Sequence, residues 1–377
     1  MSKAAELAAL IGSQTALENR NLIINGAYQI FQRASSATAA TATYTTADRW
    51  IPYEATDGAM TTEQSSDHPI GTGSSLKAQV TTADASIGAS QFCYIFQKIE
   101  AQNLQHLHYG TSSAKFLTLS FHVKSNKTGT YTINLHKGDN TALNYVQEYT
   151  ISSANTWEKK IITISPTAGS TSLITSSAGA INNDNGAGLE LGFGLAWGSD
   201  FNTTANTWVA ANDYSTTNQV NWMDSTANNF YLAEVQLEIG EHATPFEHRS
   251  FGDELVRCER YTTVYPPADV TAEFKYAIPQ SSNVCDVDNR PEVTIFYPEK
   301  RADPTITHIG NTTSDWRVGL ANNTNLTPTG ISQAVGNSRR GSVFFISVSS
   351  GVSTNSLSGV ACYFYSNGGR IVVDAEL

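Results

Sequence analysis

The chain has 377 residues, 40% hydrophobic and only 15% charged, with a formal net charge of −11 from 23 basic and 34 acidic side chains. That length supplies cores for two or three domains. Its basic runs do not exceed a pair such as Arg339-Arg340, too few to displace counterions from phosphates, so nucleic acid is excluded as a partner and anionic membranes are disfavoured.

Cys93, Cys258, Cys285 and Cys362 are far apart and form no CxxC pair. Reduced cysteines in apolar cores are therefore expected, with no metal and no cofactor. No segment reaches the roughly 18 apolar residues of a membrane-crossing helix. The opening Met1–Glu6 lacks the apolar core of a signal peptide. The expectation is synthesis in a cytoplasm, without membrane insertion.

Residues 3–16 are the first periodic stretch. Ala4, Leu7, Ala8 and Ile11 recur at helical spacing until Gly12. A helix this short is marginal alone, so its apolar side needs a partner. Residues 1–20 are read as a docking or oligomerisation helix, with Leu7, Leu10 and Ile11 as contacts; packing on its own domain is the plainer alternative.

The segment Asn21–Arg33 follows. Leu22, Ile23 and Ile24 make an apolar strand core that enters an Asn25-Gly26 turn and continues as Ala27–Phe31. A run rich in Ser, Thr and Ala then leads to Ala47-Asp48-Arg49-Trp50. Leu117, Leu119, Phe121 and Val123 alternate with Thr118, Ser120, His122 and Lys124, the pattern of a half-buried strand. Ser125–Gly129 is a predicted turn, with Thr130–Leu135 as its hairpin partner. Trp157–Ile164 is another strand. Leu189, Leu191, Phe193, Leu195 and Trp197 alternate with Gly192, Gly194 and Ala196. Tyr231, Ala233, Val235, Leu237 and Ile239 alternate with Glu234, Gln236 and Glu238. Asn185-Gly186 suits a primed hairpin turn. Short strands separated by polar turns predict an all-β fold, a jelly-roll β-sandwich over residues 21–249.

Ser250 and Asp253 then resemble a capping box, and Phe251, Leu255 and Cys258 form a helical stripe. Residues 250–262 are read as a linker helix, stopped by Pro266-Pro267. Residues 263–377 are a smaller C-terminal β-domain. Its predicted strands are Val293–Tyr297, Thr305–Ile309, Ser342–Val348, Val360–Tyr365 and Ile371–Val373, with polar loops such as Gly319–Gly341 between them.

Several residue sets bear on chemistry. His106 and His108 share a face if extended, but no neighbouring carboxylate pair completes a metal site. Asp184 suits a turn better than a calcium loop, whose terminal Glu is missing. Glu234, Glu238 and Glu241 are glycosidase candidates only if two of them oppose across a sugar; a solvated strand face is the plainer reading. Trp197, Trp208, Tyr214 and Trp222 lie in polar, loop-like sequence between strong strands. Flat rings stack on sugar C–H faces while amides and carboxyls bond the hydroxyls, so these four are the carbohydrate-binding candidates. The alternative is that they plug the sandwich core. Trp50 and Trp157 are expected in the core, Trp316 on either side. No P-loop, GxSxG, HExxH or dinucleotide fingerprint occurs in context.

Several segments together resemble a family of bacteriophage tail-fibre and virion surface proteins. They are Asn21–Gly26, Ala47–Trp50, Phe96–Glu100, Leu119–Ser125, Tyr231–Glu238 and Thr244–Ser250, in that order, with a looser extension at Arg301–Ile306. Tyr28 departs from the pattern, which has a smaller or unbranched residue there. The resemblance implies a virion protein with a carbohydrate-binding-module-like jelly roll, a homotrimer exposed on the particle. Its partners would be other tail or capsid proteins through the N-terminus, and a host surface glycan. The expected function is non-enzymatic host attachment as a tail fibre or receptor-binding protein. A head-fibre or capsid decoration protein is the first alternative and a polysaccharide depolymerase the second.

Overall fold

The computed structural model describes residues 19–39, 42–265, 274–277, 292–309, 318–319, 325–333, 338–349, 363–366 and 369–377. Leu7, Leu10 and Ile11 lie outside them, as do the rest of the predicted N-terminal helix, Pro266-Pro267, Cys285, Trp316 and Cys362. The chain divides into two compact units. One comprises residues 19–31, Ser35–Glu254 and Leu377; the other comprises Gln32–Ala34 and Leu255–Glu376.

In the first unit the strands are β1 (Ser36–Thr38), β2 (Ile51–Ala55), β3 (Ala59–Ser65), β4 (Ser75–Thr82), β5 (Phe92–Glu100), β6 (Leu117–Ser125), β7 (Gly129–Lys137), β8 (Leu143–Ile151), β9 (Glu158–Ile164), β10 (Ala187–Trp197), β11 (Thr207–Val209) and β12 (Asn229–Ile239). They build two six-stranded antiparallel sheets. Sheet A runs β1-β3-β4-β12-β6-β9 and sheet B runs β11-β8-β7-β10-β5-β2. The alternation of Leu117, Leu119, Phe121 and Val123 turns one apolar row of sheet A inward, and Leu189, Leu191, Phe193 and Leu195 do the same for sheet B. The rows meet face to face: the rings of Phe121 and Phe193 lie edge-on with centroids 5.0 Å apart. Each such side chain, fully buried, contributes about 1.5–3 kcal/mol. The architecture is the all-β jelly-roll sandwich that the sequence predicts.

Three local expectations change. β6 and β7 are not a hairpin pair, because β6 bonds β12 and β9 while β7 bonds β8 and β10. The turn at 126–128 carries the chain from one sheet to the other. Asn185-Gly186 closes no hairpin either. Gly186 N donates to Asp184 Oδ1 at 2.8 Å, and the segment leads into β10. In β12 a bulge between Ala233 and Gln236 changes the inward parity. Phe230 and Leu232 join the core with Val235 and Leu237, whereas Tyr231 faces out against Trp157, at 6.0 Å between ring centroids. Trp157 therefore lies outside the core, with its Nε1 donating to Asp67 Oδ1 at 2.9 Å.

The opening segment forms no ladder strand; a turn at 26–27 and left-handed residues at Asn25 and Tyr28 interrupt it. Asn25 organises it from a left-handed conformation, φ 57°. Its side-chain oxygen accepts from Gln29 N and Ile30 N, and its amide donates to Ile30 O and Asp48 O. Asn25 O accepts from Trp50 Nε1 at 3.2 Å, and Trp50 packs in the core against Tyr28. Arg49, also left-handed at φ 74°, is buried and donates to Lys98 O at 2.7 Å. Asn21–Gly26 and Ala47–Trp50 thus form a latch on both sheets, with Leu22 N donating to Leu237 O and Ile24 N to Gln97 Oε1.

Helix α1 (Phe251–Glu259) begins as expected, with Asp253 N donating to Ser250 Oγ at 3.1 Å. The division between the units falls within α1. Phe251, expected on the packed stripe, is 59% exposed; Glu254 and Cys258 are the buried positions. The second unit contains β13 (Thr262–Tyr265), β14 (Phe274–Ala277), β15 (Glu292–Phe296), β16 (Thr305–Ile309), β17 (Val318–Gly319), β18 (Asn325–Leu326), β19 (Pro328–Gln333), β20 (Gly341–Val348), β21 (Tyr363–Ser366) and β22 (Arg370–Asp374). They pair as β13-β22-β16, β14-β21-β17-β18 and β15-β20-β19. β19 occupies part of the stretch predicted to be loop.

Candidate functional site

The outer face of sheet B is aromatic because β5 has apolar residues on both faces. Cys93, Ile95 and Ile99 point into the core, while Tyr94 and Phe96 form a separate apolar cluster with Ile51, packed by Tyr44, Tyr53, Phe92 and Trp197. β10 supplies the key displacement. Between Gly194 and Ala196 the pairing with β5 shifts, so Ala196 joins the core and Trp197 lies opposite Phe92 on the outer face. Simple alternation places Trp197 beside Leu195; the bulge sends it the other way.

Cross-strand register orders this face into rows. One row reads Tyr53, Tyr94, Gly194, Thr132, Glu148 across β2, β5, β10, β7 and β8. The next reads Ile51, Phe96, Gly192, Asn134, Val146, and a third Lys98, Glu190, His136, Asn144. Gly192 and Gly194 keep the middle of β10 low. A Cβ on Gly194 would stand 2.5 Å from Trp197 Nε1, and one on Gly192 would stand 2.3 Å from Asn134 Oδ1.

The rings form a continuous cluster. Trp197 stacks on Phe92 at 5.3 Å, tilts against Tyr94 at 4.9 Å and meets Phe201 edge-on at 5.0 Å. Tyr53 stacks on Tyr94 at 5.9 Å. Tyr214 lies parallel to Trp197, 4° between planes and 5.2 Å between centroids. Tyr53, Phe92, Trp197, Phe201 and Tyr214 are half-buried. Of the four predicted sugar contacts, the structure brings Trp197 and Tyr214 together here.

Trp208 and Trp222 correct the sequence reading, being 1% and 0% exposed and part of the sandwich core. Trp208 Nε1 donates to Ser165 O at 2.9 Å and Trp222 Nε1 to Asn229 O at 3.2 Å. With the indole N–H satisfied inside, each ring packs as a core plug with no face for a sugar.

The polar groups of the platform are less settled. Trp197 Nε1 and both side-chain atoms of buried Asn134 have no hydrogen-bond partner. Glu190 Oε1 lies 3.4 Å from the Tyr94 hydroxyl. Burial pushes the Glu190 carboxyl up to about 7, against the opposing pull of Lys98 and Tyr94. Burial also pushes the Tyr214 phenol up to about 12, helped by the Glu190 charge, and holds His136 below its usual range. His136 Nδ1 and Asn144 Oδ1 are 3.0 Å apart.

The other candidates scatter. Glu234 occupies the β12 bulge at φ 50°, with Oε2 3.1 Å from His122 Nδ1 and Oε1 3.9 Å from His68 Nε2. His122 holds its carboxyl below the usual range. Glu238 accepts from Thr244 N at 2.8 Å and Thr244 Oγ1 at 2.6 Å, and Glu241 is exposed. His106 sits in the 3-10 turn Ala101–Leu107 with His108 as its left-handed cap, so the extended geometry that would align them is absent. Among the described residues no group of three His, Cys, Asp or Glu side chains is arranged to hold a metal ion. The sequence reading missed Tyr53, Phe92, Tyr94, Phe96, Asn134 and Glu190. Its one available signal was Phe92-Cys93-Tyr94-Ile95-Phe96, aromatic on one parity and aliphatic on the other.

No protein-family model and no curated protein matches the chain. Among solved structures it is similar to the enzymatically active domain of tailspike protein 4 of bacteriophage CBA120, at 12% identity and a TM-score of 0.28, over 58% of this chain and 21% of that one. It is also similar to a family 4 carbohydrate-binding module, at 13% identity and a TM-score of 0.30, over 57% of this chain and 98% of that one. A third is the family 11 carbohydrate-binding module of Clostridium thermocellum, in complex with a β-1,3-1,4-mixed-linked tetrasaccharide, at 13% identity and a TM-score of 0.28, over 57% and 99%. The match thus spans about a fifth of the tailspike chain. Likenesses at these scores say nothing of ligand or activity, which rest on the platform's own chemistry.

Proposed function

We propose that the outer face of sheet B binds glycans, and that the chain is a non-catalytic attachment protein displayed in several copies on a bacteriophage particle. The observation that supports binding is the bulge-presented Trp197, set among Phe92, Tyr94 and Tyr53 beside polar atoms that have no partner. A half-buried ring platform with a few unsatisfied polar groups suits the C–H face and hydroxyls of a sugar. The virion role rests on the ordered resemblance to tail-fibre and virion surface proteins. Each contact can be weak, because several copies on one particle multiply the effective affinity by about 10²–10⁴. Residues before Asn21 would anchor the chain to a tail or capsid partner, in a homotrimer.

Cleavage fits the platform poorly. A glycosidase sets two carboxyls within about 9.5 Å. Glu148 stands two strands and two register rows from Glu190, on the order of 10 Å across and 13 Å along the sheet. It is also occupied by Thr216 and Asn218.

A printed glycan array tests the reading. Wild type should bind a subset of bacterial surface glycans and Trp197→Ala should lose them, while both unfold at similar temperatures. Equal binding by the two proteins removes the platform from the function. New reducing ends on a bound polysaccharide overturn the non-catalytic assignment. Antibody labelling of particles, with no label on tail or capsid, overturns the virion role.

A further inference from the structure

Tyr214 occupies an unusual place. Its ring centroid lies 6.5 Å from that of Tyr94 on β5 and 5.9 Å from that of His136 on β7. Those strands flank β10, so the ring lies over β10, where Gly192 and Gly194 carry no side chain. It is parallel to Trp197 at 5.2 Å. A pyranose stacked on Trp197 would take this position and this orientation, with its edge hydroxyls toward the same polar row.

The group on the same trough is Asn134. In register it faces Gly192, and its Oδ1 is the atom nearest a Cβ at that glycine. It is fully buried, and neither its carbonyl oxygen nor its amide nitrogen is hydrogen bonded. A buried primary amide without partners is a standing cost to the fold unless something bonds it. One carboxamide presents an acceptor and a donor side by side, which two adjacent hydroxyls match. Glu190, on the next row of the same trough, adds a carboxyl that bonds hydroxyls and, above about pH 7 where it is ionised, repels anions.

We propose that Asn134 and Glu190 read adjacent hydroxyls of a neutral pyranose, and that the Tyr214 ring is a displaceable stand-in that covers them until the sugar takes its place on Trp197. This rests on the glycan-binding reading above and deepens it. Displacement costs binding energy, so apparent affinity is reduced by the fraction of molecules in which Tyr214 covers the floor.

Titrating a neutral glycan selected on the array into wild type, Trp197→Ala, Tyr214→Ala and Asn134→Ala separates the outcomes. Tyr214→Ala should bind at least threefold tighter than wild type. Asn134→Ala should bind at least tenfold weaker with its unfolding temperature not lowered, because it removes an unpaired polar group. At pH 8 glycans bearing uronic or sialic acid should bind weaker than their neutral counterparts. If Tyr214→Ala loses affinity as Trp197→Ala does, Tyr214 is an ordinary contact and the stand-in is wrong. If Asn134→Ala binds as wild type, or acidic glycans bind best, the hydroxyl floor is wrong. If Trp197→Ala alone is unaffected, the platform reading itself has failed. Should Tyr214→Ala not fold, Tyr214→Leu decides: loss of the flat ring that covers the trough should still tighten binding, and weaker binding overturns the proposal.

Discussion

Gly26 and Glu190 show how much one position can decide. A Cβ on Gly26 would lie 2.1 Å from Val235 O, and Gly26 O itself accepts from Val235 N at 2.9 Å. The backbone there touches backbone, so nothing flexible can yield. Gly26→Ala should therefore cost about 3 kcal/mol in urea unfolding; a loss under about 0.5 kcal/mol would contradict the latch. Glu190 makes a pH prediction. Its folded value is raised to about 7 from an ordinary 4.5, so the folded state holds the proton more tightly. The stabilisation is complete below about pH 4.5 and disappears as pH rises through about 7, a change on the order of 3 kcal/mol. Glu190→Gln should flatten that portion of the stability–pH curve and be the more stable protein at pH 8. A Gln variant with an unchanged slope would show that Glu190 titrates normally.

At the scale of elements, alternation was legible and parity was not. The rows 117–123 and 189–195 were readable because a face that packs a core must repeat every second residue. The bulges at Gly194/Ala196 and Ala233/Gln236 were not, because each depends on bonding to a strand distant in sequence. One extra residue reverses everything beyond it. That reversal put Trp197 outside and Tyr231 opposite its expected side, and it concealed the platform. Trp208 and Trp222 misled in the opposite sense, since polar, loop-like sequence around a Trp does not reveal whether its N–H meets a carbonyl indoors. Two predictions follow from these placements. Trp208→Ala and Trp222→Ala should each lose about 3–5 kcal/mol of stability, whereas Trp197→Ala should lose far less; equal losses would mean that Trp197 is a core ring. Gly194→Ala, whose Cβ would crowd Trp197 Nε1 and Thr132 Oγ1, should weaken glycan binding about tenfold. Unaltered binding would show that the indole's position over β10 is unimportant.

For the whole molecule, composition and strand rhythm led to an all-β chain with a large sandwich and a smaller β unit. The proposed glycan site was less accessible to reading. The aromatic platform is assembled from rows across five strands, so its members are scattered from Tyr53 to Tyr214 and no local motif announces them. Asn21–Gly26 and Ala47–Trp50, which open the resemblance to virion proteins, prove to be structural, organised around Asn25 and Trp50, whereas Phe96 of a later segment lies on the outer face of sheet B.

The most direct test follows the indole N–H resonances during a glycan titration by NMR. The Trp197 signal should move on adding glycan, since its ring borders the proposed site and its Nε1 has no partner, while Trp208 and Trp222, bonded inside the core, stay fixed. Movement of the core indoles with Trp197 unmoved, under saturating glycan, would contradict that expectation.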